Sequence, residues 1–173
     1  MKNLILFFAV MLFTLMACQK ENVSVPTVSD EDLSLRSAPR PFRATIDFVL
    51  TLGSDDVICE SPKVRLGFEG DGNALHMGKI LGKFNHCIAP GIGNTLTDGA
   101  GVMTAANGDE VHVAYEAVIS RAGNQTFVNG SYTITGGTGR FDGATGEGSL
   151  DAVQELIPPF YPGEAEFEGE INY

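Results

Sequence analysis

The last ten residues, Glu164 to Tyr173, alternate with almost no irregularity. Glu164, Glu166, Glu168 and Glu170 fall on one side, and Ala165, Phe167, Gly169 and Ile171 on the other. A period of two belongs to a β-strand, whose successive side chains point to opposite faces. Burying four unpaired carboxylates would be prohibitive, so the glutamates face water and the other face meets a core. The same period recurs upstream. Phe42, Ala44, Ile46, Phe48 and Leu50 share a face, as do Val64, Leu66 and Phe68 within Lys63–Glu69. His76, Gly78, Ile80, Gly82 and Phe84 share one within Ala74–Cys87. Within Glu110–Ser120, Val111, Val113, Tyr115, Ala117 and Ile119 oppose His112, Ala114, Glu116 and Val118. Thr95–Ala105, Gln125–Thr135 and Ala144–Glu155 complete the set, and no segment sustains a helical period.

Turn chemistry separates these runs. Asp71-Gly72-Asn73 reads as one turn and Asn107-Gly108 as a two-residue hairpin. Eight strands joined mostly by short connections predict an all-β fold, an eight-stranded antiparallel β-barrel. Closure removes exposed strand edges, and a barrel of this size is filled by side chains or holds one small ligand.

The N-terminus is of a different kind. Lys2 precedes an apolar run from Leu4 to Met16, the plan of a secretory signal peptide. The run is shorter than the roughly 20 residues of a membrane span. It ends in Leu15-Met16-Ala17-Cys18, which resembles the lipobox of bacterial lipoproteins. That resemblance implies a signal peptide over 1–17, lipid on Cys18, and localisation on the bacterial outer membrane. The Gln19-Lys20-Glu21 that follows resembles the tripeptides some bacteria use for surface export, which leaves periplasmic and surface faces both open. Residues 18–40 carry Pro26, Pro39 and the acidic Asp30-Glu31-Asp32 without periodicity, and read as a disordered tether. Residues 41–173 are one domain of ordinary size.

Charge narrows the partners. The formal net charge is −11, and eight acids but no Lys or Arg follow Arg140. Such a surface repels phosphate backbones, so nucleic acid is not an expected partner. Cys59 and Cys87 lie in an exported chain, where disulfides persist. A hairpin between them would put both near the end away from its turn, so a bridge is expected; two buried free thiols are the alternative. No zinc, calcium, nucleotide or catalytic-triad spacing is present, so neither metal nor cofactor is expected.

The most distinctive stretch runs from Tyr132 through Gly136, Gly137, Thr138, Gly139, Arg140 and Phe141 to Gly148. A strand enters a glycine-rich turn, an aromatic plug follows, then another glycine-rich strand. This resembles the late-strand signature of the allene oxide cyclase barrel-like group, which includes plant dirigent proteins. The stretches Gly72–Lys79 and Met103–Asp109 are similar to pieces of bacterial secreted proteins with that barrel. The resemblance covers residues 42–173 and rests on glycine-and-turn motifs, which specify backbone. It implies a lumen that steers reactive apolar molecules by shape, and trimers. It carries no catalytic residue over to this chain.

Candidate groups therefore come from the residues themselves. His112 and Glu116 share a strand face and would serve as an acid–base pair if lumenal, against the plainer reading of a surface pair. His76 sits on a glycine-rich strand and reads first as structural. The leading expectation is a binding barrel on the cell envelope, taking a small apolar ligand or a protein. A cyclase- or isomerase-like enzyme and a self-associating structural protein are the alternatives, separated by whether the lumen is open.

Overall fold

The computed structural model describes residues 38–52, 58–89 and 94–173. The expected signal peptide, Cys18 and the tether up to residue 37 lie outside these residues. The strands are β1 (Arg40–Thr51), β2 (Val64–Ala74), β3 (Gly78–Ile88), β4 (Thr95–Ala105), β5 (Glu110–Ala122), β6 (Gln125–Gly137), β7 (Thr145–Glu155) and β8 (Pro162–Asn172). Each pairs antiparallel with the next, and β1 pairs with β8 from Arg40↔Ile171 to Val49↔Pro162. The sheet is a closed eight-stranded barrel, as the alternation predicts.

Burial follows the period of two. In β8, Ala165, Phe167 and Ile171 are buried while the four glutamates are exposed. Arg43, across the register on β1, bridges Glu166 and Glu168.

Two turns differ from expectation. Asp71-Gly72-Asn73 is strand, and the β2–β3 turn lies at Leu75–Met77. Gly72 serves close strand approach instead: a Cβ there would lie 2.1 Å from the Thr45 carbonyl oxygen on β1. His76, with φ of 72°, takes the left-handed position of the true turn. Near Asn107-Gly108, Ala105 N–H donates to the Asp109 carbonyl at 2.8 Å, which makes a three-residue connection with Gly108 left-handed.

The interior is filled by rings. Phe48 and Phe68 have centroids 4.7 Å apart, Phe68 and Phe84 4.4 Å, and Phe84 and Phe167 5.4 Å. Tyr132 continues the series 5.3 Å from Phe167, and Phe42 lies 6.3 Å beyond it. Glycines make the room. A Cβ on Gly101 would lie 2.1 Å from the Phe84 ring, and one on Gly99 2.7 Å from the Tyr115 ring.

The two ends differ. At the end where the chain enters β1, a short 3-10 helix, Gly139–Phe141, buries Phe141 as the plug expected of it. Its ring lies 4.8 Å from Tyr173, while the Arg40 and Arg140 guanidiniums cover Tyr173 and Phe141 at 4.7 and 4.9 Å. At the far end Cys59 and Cys87 are paired as a disulfide, with Cα atoms 5.6 Å apart.

Two stability tests follow. Gly101→Ala should cost about 1–3 kcal/mol in urea unfolding by overpacking against Phe84, and less in a Phe84→Leu background. An unchanged midpoint would contradict the packing. Replacing both cysteines (C59A/C87A) should cost about 3–4 kcal/mol by the chain-entropy argument, and reductant should then have no further effect on the midpoint.

Candidate functional site

The alternation of β5 decides which way its polar groups point. Val111, Val113, Tyr115, Ala117 and Ile119 are buried inside, so Glu110, His112 and Glu116 lie on the outer wall. The expected His112–Glu116 pair is therefore not lumenal. Nor is it the pair that forms: His112 Nε2 lies 3.0 Å from Glu110 Oε2. Residues four apart on a strand are about 13 Å apart, whereas residues two apart are about 7 Å apart and within side-chain reach. Glu116 instead borders a separate shallow depression with Asp98, Ser131 and Thr133.

His112 opens onto a groove of about 850 Å³ on the outer wall, open to solvent. The register lines up Glu69, Lys83, Val102 and His112 across β2, β3, β4 and β5. Lys83 Nζ pairs with Glu69 Oε1 at 3.2 Å, an exposed contact worth at most about 1 kcal/mol. Ala100 and Val102, with their short side chains, set a low floor between these longer polar rims. The groove thus offers a modest apolar floor with both charge signs along its edges.

His76 has a structural position. Its Nε2–H donates to the Pro41 carbonyl at 3.0 Å, its own carbonyl accepts from Arg140, and its ring lies 5.9 Å from Tyr173. It ties the β2–β3 turn to the start of β1 and to the plug.

Polar groups inside the barrel include His86 and the Tyr115 and Tyr132 hydroxyls, none of them a candidate from the sequence. His86 is 7 % exposed, with Nδ1 3.0 Å from the Tyr115 hydroxyl. That hydroxyl donates to the Asn85 carbonyl at 3.2 Å, so the neutral His86 donates from Nδ1 to the Tyr115 oxygen. The signal was present: His86 continues the inward series Ile80, Gly82, Phe84. Burial pushes His86 down to about 4 and raises Tyr115. The Tyr132 hydroxyl is also buried, with no hydrogen-bond partner among the described residues. Burial, with the Glu168 charge second, pushes it up to about 12. Burial keeps these groups neutral near pH 7, held among the rings of the core. Among the described residues no cluster of three or more His, Cys, Asp or Glu is placed to hold a metal ion.

Comparison with protein-family models, with curated proteins and with solved structures finds no match for this chain.

His86 makes stability depend on pH. Its folded pKa is about 4 against an ordinary 6.5, so the unfolded chain binds more protons between those values. The stability it contributes is complete above pH 6.5 and is lost as pH falls through 4. The loss should total about 3 kcal/mol on unfolding curves measured across that window. His86→Gln should flatten this dependence, and an equally steep dependence in the variant would contradict the assignment.

Proposed function

We propose that this chain is an exported envelope lipoprotein, anchored through lipid on Cys18, whose barrel is a sealed binding module that works through its outer wall. The ring series from Phe48 to Phe42 carries this reading, because it occupies the space a lumenal ligand would need. With the interior taken, binding falls to the wall, and the groove beside His112 and Lys83 is a part of it with an apolar floor and polar edges. Such a surface suits side chains of a protein partner better than a small apolar molecule, which needs enclosure.

The cyclase- or isomerase-like alternative needs an open apolar lumen with polar groups converging inside. The filled interior and the outward His112 and Glu116 both weigh against it. Membership of the allene oxide cyclase barrel-like group remains part of the proposal. It is supported by the closed eight-stranded barrel and by the turn that carries Phe141 into the end of the barrel. Self-association, including trimers, is a special case in which the partner is another copy.

Two measurements test the reading. The mature N-terminal peptide should carry acyl chains on Cys18, and Cys18→Ser should release the protein from membranes. A photo-crosslinker at Val102 should capture a protein, or another copy, on intact cells, while one at Asp151 on the glutamate side should not. Equal capture from both positions, or an apolar ligand that co-purifies with the barrel and is displaced from its interior, would overturn the outer-wall reading.

A further inference from the structure

The chain contains two Asn-Gly pairs, Asn107-Gly108 and Asn129-Gly130. In such a pair the glycine nitrogen readily reaches the preceding side-chain amide, because no Cβ stands in the way. The fold treats the two pairs differently. Asn107-Gly108 lies in the short connection between β4 and β5, where both residues are exposed and Gly108 takes φ of 88°. A Cβ added at Gly108 would meet nothing within 4 Å. Asn129-Gly130 lies inside β6, where Gly130 is paired with Ala117 on β5 and with Leu150 on β7. A Cβ there would lie 2.0 Å from the Glu116 carbonyl oxygen.

From this contrast we propose that Asn107 is a site of spontaneous covalent modification, by deamidation through a succinimide, and that Asn129 is not. The Gly108 backbone nitrogen attacks Asn107 Cγ and gives its proton to solvent. The Cγ–Nδ2 bond breaks, and the nitrogen takes up a proton and leaves as ammonia. Water then opens the ring. Breaking the new bond at Cγ leaves aspartate, and breaking the bond at the backbone carbonyl carbon leaves isoaspartate. An amide and water become a carboxylate and ammonium, with no oxidant or cofactor. The turn assists the attack. Asp109 N–H donates to Asn107 Oδ1 at 3.2 Å, so a donor already faces the oxygen on which negative charge develops. The Gly108 N–H donates to the Ala105 carbonyl at 2.9 Å, and this turn bond opens first. At Asn129 the same ring closure requires β6 to leave its extended pairing with two neighbouring strands. The product bears on the plug. Asn107 Nδ2 donates to Asp109 Oδ2 at 2.9 Å, and the same Oδ2 holds Arg140 Nε at 3.5 Å. Arg140 donates to the His76 carbonyl and covers the Phe141 ring at 4.9 Å, which clasps the plug to the entry end. Deamidation exchanges the donor on Asp109 for a second carboxylate, which weakens this clasp.

The full chain is held folded in mild alkali, and a second sample is held unfolded in guanidinium with its disulfide reduced. Cleavage after glutamate then places Asn107 in Gly70–Glu110 and Asn129 in Ala117–Glu147. Fragment masses report, asparagine by asparagine, the replacement of NH2 by OH. Mass isolates this step, since isomerisation at an Asp-Gly pair such as Asp142-Gly143 leaves it unchanged. In the folded chain Asn107 should convert at least about tenfold faster than Asn129, a barrier difference of about 1.4 kcal/mol or more. In the unfolded chain the two rates should converge. Equal rates in the folded chain overturn the proposal. So does an Asn107 that stays intact in the folded chain while the unfolded chain converts both, because the turn is then a shield. A difference that persists in the unfolded chain assigns the selectivity to neighbouring residues and also overturns it. Asn107→Asp imitates one product. It should lower the urea midpoint, and lower it less in an Asp109→Asn background, where the facing charge is gone. An unchanged midpoint overturns the effect on the clasp and leaves the modification to the mass measurement.

Discussion

The Phe84 ring is stacked between Phe68 and Phe167 and lies where side chains at Gly82 and Gly101 would have to be. This exchange of volume between rings and glycines is the constraint on which the barrel depends. Eight strands enclose a narrow interior, and six aromatic rings fit across it because inward positions beside them carry no Cβ. The glycines of β3 and β4 are therefore part of the core, even though they bury no side chain of their own.

That packing has consequences for chemistry. The rings fill the interior, and the buried polar atoms beside them satisfy one another within the fold. His86 and Tyr115 satisfy one another and the Asn85 carbonyl, and remain neutral because burial disfavours charge on either. The outer surface is uneven. One side carries the glutamates of β8, the wall over β2 to β5 carries the groove beside His112, and the far end exposes Leu52, Ile58, Ile157 and Phe160, with Leu52 reaching the groove. Each is a different physical surface, and the closed sheet has no edge strand to offer as a fourth.

Much of this was legible in the residues. The clean alternation of β1, β5 and β8 marked inward and outward faces correctly, because a one-residue slip would bury four glutamates. The Cys59–Cys87 pairing was legible from the expected export and the hairpin spacing, and Phe141 from its place after a glycine-rich turn. The β2–β3 turn was not legible, since Asp71-Gly72 carries turn chemistry and the turn that forms uses His76, a residue that seldom adopts positive φ. The candidate site was half legible. His112 is legible as a polar outlier on β5, but its partner is Glu110, because a strand spaces residues four apart beyond contact.

By itself the sequence determined the eight strands, the facing of side chains along β1, β5 and β8, and the acidic outer row, since all of these follow from a local period and the cost of burying charge. Whether the lumen was open could not be read from any one strand. It depended on rings from β1, β2, β3, β6 and β8 meeting across the interior, with glycines from other strands giving way to them. The gathering of Leu52, Ile58, Ile157 and Phe160 at one end was decided in the same way. Residues a hundred positions apart become neighbours only when the sheet closes.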